Sequence, residues 1–358
     1  MKIKSVGTGV GFLYFYTHFV TEVVCFAVLG RYALFSSPDI WMLFLTYDLL
    51  AFVPQGIIGY LSDRFPRVPF GPAGFILLSL AVPLQAAVPF PYVSLAVLCV
   101  GNAFTHVDGA EVTLRCAGGA LSPGAIFVAG GSFGVVSGQL LAKTAFPWWG
   151  LSALSVTAIP FTVLGGMFRK DADGESDVPC RKFDYASRRA KTASGAVLVI
   201  LAVVFVIITR GYMGYGIPTS WKKTAWQTVL LFSFMGFGKA AGGVLADLFG
   251  VRRVGVVSAA AALPFLMLGD NNITLSLIGV MFFSMTMSVT LATLVSVMPK
   301  RPGLAFGLTT IGLFMGAAPV FFFRFTSVVL NCVMLSVLTA VCVALMFISI
   351  RKDGRADE

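Results

Sequence analysis

The 358-residue chain is 57% hydrophobic and only 12% charged, with a net charge of +10 and a mean hydropathy of +0.88. Soluble domains carry about 25% charged residues, so a water-soluble globule is excluded, and with it a reading of the positive charge as a nucleic-acid surface. In lipid the backbone must close its hydrogen bonds within helices or closed barrels. The apolar runs here are continuous over about 20 residues, as a spanning helix needs, and lack the ten-residue alternation of barrel strands.

In chain order, hydropathy predicts spans at 9–30, 40–61, 70–90, 92–114, 120–142 and 148–168, then at 195–215, 225–246, 253–269, 273–297, 303–324 and 327–349. The expected fold is an all-α membrane protein with twelve transmembrane helices in two pseudo-symmetric six-helix bundles. Residues 1–168 form the N-terminal bundle, 169–194 a cytoplasmic linker, 195–350 the C-terminal bundle and 351–358 a cytoplasmic tail. The linker carries both signs of charge and is expected to be solvated. The first run, Gly9 to Leu29, is too long for the 7–15-residue apolar core of a signal peptide and reads as a retained helix. The cysteines, Cys25, Cys99, Cys116, Cys180, Cys332 and Cys342, form no CxxC pair and read as packing residues.

Basic residues set the orientation. With the N-terminus inside, nineteen lysines and arginines fall on the cytoplasmic side, against five outside: Arg31, Lys143, Lys222, Lys223 and Arg324. This positive-inside bias predicts cytoplasmic termini in a bacterial inner membrane. Trp41, Trp148, Trp149, Trp221 and Trp226 then gather at the outer face, as an interfacial aromatic belt does.

The two halves echo one another. Gly59-Tyr60-Leu61-Ser62-Asp63-Arg64-Phe65 matches Gly243-Val244-Leu245-Ala246-Asp247-Leu248-Phe249 at an offset of 184, each at the cytoplasmic end of the second helix of its half. Arg67 follows the first copy; Arg252 and Arg253 follow the second. Asp63, Arg64, Arg67, Asp247, Arg252 and Arg253 are therefore expected to form a cytoplasmic gate, each aspartate pairing with the nearby loop arginines. Related halves with a substrate site between them are a recurring transporter plan.

The segment from Gly59 to Arg67 resembles the G-x-L-a-D-R-x-G-R signature of the major facilitator superfamily, with Pro66 in place of the usual glycine. Within it, three segments resemble the fosmidomycin-resistance group: His18-Phe19-Val20-Thr21-Glu22, Gly101-Asn102-Ala103-Phe104-Thr105-His106, and Phe127 to Gly134. Glu22 replaces the group's aspartate, and Val107 replaces a proline. The resemblance implies proton-driven drug efflux by alternating access.

Glycines at Gly130, Gly134 and Gly138, and again at Gly312 and Gly316, make smooth helix stripes where a neighbour approaches closely. A charge at helix depth costs about 2.5–3.5 kcal/mol, so His18, Glu22, Asp48, His106, Asp108, Glu111, Arg210 and Lys239 are candidate functional groups. Tyr14, His18 and Glu22 share one helix face that is expected to line a cavity, and Glu22, with His18 and Asp48, is the expected proton-coupling group; the expected substrate-binding residues are Tyr14, His18, Glu22, His106, Asp108, Glu111, Arg210 and Lys239. Asp108, Glu111 and Arg115 line one face of the fourth helix and His106 the other; the spacing leaves open which of the two faces the cavity. Arg210 and Lys239 either pair with first-half acids or bind an anionic substrate.

The expected function is secondary active export of small organic compounds, including anionic or phosphonate-like ones, in exchange for protons. Alternatives are proton-coupled uptake of an organic anion and a non-transporting receptor or scaffold. No P-loop, HExxH or nucleophile elbow occurs, and His18 and His106 have no Cys/His cluster beside them, so neither an enzyme, a cofactor nor a metal site is expected. The expected partners are a small-molecule substrate, protons and membrane lipids, with the chain acting as a monomer.

Overall fold

The computed structural model describes residues 2–33, 40–87, 91–174, 183–323 and 328–351. These residues fold into twelve helical spans: α1 (Lys2–Ala33), α2 (Ile40–Phe52 continued by Gln55–Arg64), α3 (Phe70–Ala87), α4 (Pro91–Cys116), α5 (Ser122–Ala142) and α6 (Trp148–Gly174), then α7 (Ala193–Gly216), α8 (Ala225–Phe249), α9 (Val251–Leu268), α10 (Ile273–Val297), α11 (Pro302–Ala317) and α12 (Val328–Ser349). Eleven are long and apolar enough to cross a membrane, and α3 is a shorter apolar helix. The chain is an integral, multi-pass membrane protein.

Local chemistry sets the helix ends. Thr224 and Gln227 form a capping box at α8. The Asn272 side chain accepts from Leu275 N at 3.1 Å to start α10. Gly250, at φ +95°, makes the one-residue joint between α8 and α9, a conformation that L side chains rarely adopt. Pro54 breaks α2, because it has no N–H for the helical ladder. At the break Gln55 donates its side-chain amide to Ala51 O at 2.8 Å, so that carbonyl stays paired.

Burial separates inner from outer helices. The most apolar stretches of α4 and α10 are 72% buried and those of α6 and α12 only 28%, which turns α6 and α12 to lipid. Leu198, Leu201 and Phe205 on α7, and Val329, Val333 and Val337 on α12, are exposed at helical spacing and form lipid-facing stripes.

The second part of the linker differs from the solvated segment expected. Phe183 and Ala186 are buried. Ala186 bridges Ile350, Ser187 N donates to Ser349 O at 2.8 Å, Arg351 N donates to Tyr185 O at 2.8 Å, and Arg351 meets the Asp184 carboxylate at 2.8 Å. The Tyr185 hydroxyl donates to Gly119 O in the α4–α5 turn. Burial pushes that phenol up to about 12, so it remains a donor. Residues 175–182, and the tail from 352, lie outside the described residues.

Candidate substrate and coupling site

The halves meet along α2 with α11 and α5 with α8. Both crossings rest on glycine. A Cβ on Gly59 would stand 2.2 Å from Gly303 O, and one on Gly307 would stand 2.4 Å from Gln55 O. A Cβ on Gly243 would stand 2.3 Å from Ala125 Cβ. Gly59 and Gly243 are the glycines of the repeated motif, so that motif supplies close interhelical contact as well as charge.

Two aspartates fasten the linker end of these crossings. Asp63 on α2 accepts from Gly303 N at 3.0 Å and Leu304 N at 2.8 Å, the first amides of α11. Asp247 on α8 accepts from Leu121 N at 2.7 Å and Ser122 N at 2.9 Å, at the start of α5. Each half thus places a carboxylate on a helix N-terminus of the other, where unpaired N–H groups and the helix dipole favour negative charge. This corrects the expected pairing with loop arginines. Arg64 lies over the Phe65 ring, Arg67 is exposed, Arg252 lies over Phe347, and Arg253 is exposed. The arginine that reaches Asp63 is Arg115, at 3.5 Å.

The acidic face of α4 turns into the first half rather than toward the second. Glu111 is fully buried, accepts from Ser62 Oγ at 2.7 Å and pairs with Arg115 Nε at 2.7 Å. Asp108 accepts from the Tyr14 hydroxyl at 2.9 Å and lies against Gly71, where a Cβ would be 2.3 Å from the carboxylate. Tyr14, fully buried, therefore faces α4 and not a cavity. Sequence left open whether His106 or this acidic face points to the centre; the structure turns His106 that way, with its ring near-parallel to that of Phe306 of α11 at 6.5 Å between centroids.

His18, Glu22 and His106 form a buried cluster between α1 and α4. His106 Nε2 lies 3.1 Å and His18 Nε2 3.7 Å from the same Glu22 oxygen. Each imidazole is tethered through its other nitrogen: His18 Nδ1 to Phe127 O at 2.9 Å and His106 Nδ1 to Asn102 O at 2.9 Å. A carbonyl only accepts, so each Nδ1 carries the hydrogen. Gly131 makes room for this, since a Cβ there would stand 2.3 Å from His18 Nε2. Sequence reasoning missed Gly131, although it lies within the quoted Phe127–Gly134 segment. Only the packing of α5 on α1 reveals its role. The cluster itself was missed because α1 and α4 are far apart in sequence and periodicity does not report their register.

Three further charges lie within the helices, Asp48, Arg210 and Lys239. Asp48 on α2 is half-buried and makes no hydrogen bond or ion pair among the described residues. Arg210 on α7 is buried, donates to Phe283 O at 3.2 Å and lies 5.1 Å from that ring's centre, with its Nε unpartnered among the described residues. Lys239 on α8 is half-buried, and its ammonium makes no hydrogen bond or ion pair among the described residues. It lies within the electrostatic reach of Glu22 and Arg210. Neither cation forms an ion pair with a first-half acid among the described residues.

The glycine stripes sit at tight crossings. A Cβ on Gly130, Gly134 or Gly138 would stand 2.3, 2.5 or 2.6 Å from the Phe15, Phe19 or Val23 carbonyl of α1. On Gly316 it would stand 2.1 Å from Ile208 O of α7, while Gly312 is looser, at 3.0 Å from Ile207 Cγ2. Toward the linker end a crevice between the halves is lined by Leu114, Val128, Met287, Ser288 and Phe306 and reached by Phe183.

This architecture is the fold seen in solved transporters of the major facilitator superfamily. A solved transporter of that superfamily, FucP in its outward conformation, superposes with a TM-score of 0.53 at 14% identity, covering 94% of this chain and 97% of its own. A variant of the Escherichia coli fucose:proton symporter FucP gives 0.57 at 13% identity, covering 95% and 97%. At the sequence level the chain is similar to the fosmidomycin resistance protein of Escherichia coli strain K12, 28% identical over 160 residues, a match spanning 38% of each chain. The match thus spans well under two thirds of that relative. No protein-family model matches the chain.

Proposed function

We propose that this protein is a secondary active transporter of the bacterial inner membrane, with both termini cytoplasmic, that exports small organic anions in exchange for protons by alternating access. The observation that carries the reading is the reciprocal pair of carboxylate caps, Asp63 on α11 and Asp247 on α5. Two halves joined at one end by a few charge–dipole contacts and bare glycine backbones can part there and re-form without repacking a core. The positive-inside bias puts that end in the cytoplasm, so this conformation is closed toward the cytoplasm.

The chemistry between the halves supports the rest. Lys239 and Arg210 form no ion pair with a carboxylate among the described residues, which leaves their donors available to an anion. The similarity to a fosmidomycin resistance protein supports export of a drug-like compound. Glu22, the first choice from sequence for the proton carrier, is enclosed by two imidazoles. Asp48, half-buried and with no hydrogen bond or ion pair among the described residues, is the better carrier. Substrate counterflow in proteoliposomes tests the reading: labelled organic anion exchanges through reconstituted protein faster than through empty vesicles. A receptor or scaffold gives no counterflow.

A further inference from the structure

The His18–Glu22–His106 cluster has no assigned role in the transport reading, and its hydrogen bonding poses a problem of its own. With each Nδ1–H given to a backbone carbonyl, each neutral imidazole points its Nε2 lone pair at one Glu22 oxygen, which is itself an acceptor. Three lone pairs converge in a buried space, and the second Glu22 oxygen has no hydrogen-bond partner among the described residues. A single shared proton bridges one pair, at 3.1 Å, and leaves the 3.7 Å pair unbridged.

We infer that His18, Glu22 and His106 are the ligands of a divalent transition-metal ion of the zinc class, held through two Nε2 atoms and one carboxylate. The three donor atoms all lie within 4.8 Å of one another. Tetrahedral Zn–N and Zn–O bonds of about 2.0–2.2 Å separate neighbouring donors by about 3.3 Å, and the two observed separations, 3.1 and 3.7 Å, bracket that value. Both imidazoles also show the support that metal-bound histidines have, the distal N–H fixed on a carbonyl. Gly131 leaves the pocket that His18 Nε2 occupies. Two imidazoles and one carboxylate would leave a fourth position on the ion for water or another ligand.

The chain contains two histidines, so a two-imidazole metal signal from tag-free protein has one possible source. Purified, chelator-stripped protein in detergent is loaded with Cu²⁺ as the probe. Pulsed electron paramagnetic resonance then counts imidazoles through their remote nitrogens, and Zn²⁺ is titrated in competition. The inference predicts one ion per chain, two imidazole ligands, displacement by Zn²⁺, and affinity reduced about ten-fold or more in Gly131→Ala, a change at the support of a ligand. Absence of stoichiometric binding, a signal from one or no imidazole, or binding unchanged by Gly131→Ala together with His106→Gln overturns it. Binding is read without transport, so a failure here leaves the transport reading standing, and the reverse.

Discussion

Asp63 of the first half accepts a hydrogen bond from the backbone of Gly303 in the second, at 3.0 Å, across 240 residues of sequence. The same pair also touches through bare backbone, since a Cβ on Gly303 would meet Gly59 O at 2.7 Å and the Asp63 carboxylate at 3.2 Å. Charge and shape therefore act at one point, and Asp247 repeats the arrangement at Leu121.

Removing one cap should bias the protein toward opening at the cytoplasmic side. Asp63→Asn keeps the shape and weakens the charge–dipole contact by about 1 kcal/mol, or about five-fold in the open population. A cysteine placed at Ser288→Cys, in the crevice between the halves, should then react faster with a thiol reagent added from the cytoplasmic side. Equal rates with and without Asp63→Asn would show that the cap is not a latch.

The stripe glycines make a sharper packing test. Gly130→Ala puts a methyl group against the Phe15 carbonyl, where a Cβ would lie at 2.3 Å, and should destabilise the protein by about 1–3 kcal/mol. Gly166→Ala, on α6 with nothing within 4 Å, should be neutral or stabilising by about 0.5–1 kcal/mol. Thermal melting in detergent reads both, and a reversed order would contradict the described α1–α5 crossing.

Proton coupling is tested at Asp48. Asp48→Asn should abolish transport driven by a pH gradient while sparing substrate exchange without one, because the variant keeps shape and loses the titrating group. Normal gradient-driven transport in this variant would return the role to another buried acid.

Substrate charge is tested at the two second-half cations. Arg210→Gln and Lys239→Gln, made separately, should weaken binding of anionic compounds by about ten- to a hundred-fold, for loss of a charged hydrogen bond of about 1.5–3 kcal/mol, and leave neutral compounds unaffected. Neither should be rescued by Asp48→Asn, since neither forms an ion pair with Asp48 among the described residues. Rescue would make these residues latches.

Much of this was legible in the sequence. Hydropathy located the spans, because lipid demands long apolar helices, and the Gly59 and Gly243 motifs marked the two ends that now cap each other's halves. What remained hidden was partnership. Asp63 reaches a backbone N–H and Arg115 rather than the adjacent Arg64 and Arg67, since a helix N-terminus carries no side-chain signature of its own charge. His18 and His106 read as separate lone histidines, and only the packing of α1 on α4 brings both to one carboxylate oxygen. The face that Asp108 and Glu111 present was likewise undecided until Tyr14 and Ser62 supplied their partners.

The most direct test of the transport reading is to reconstitute the protein in proteoliposomes, load a panel of labelled organic anions including phosphonates, and impose a pH gradient of either sign. The account predicts that substrate moves against its own gradient in the direction opposite to the proton flow, and that dissipating the gradient with a protonophore stops it. Substrate movement in the same direction as protons would contradict exchange, and no movement above protein-free vesicles for any compound would contradict transport itself.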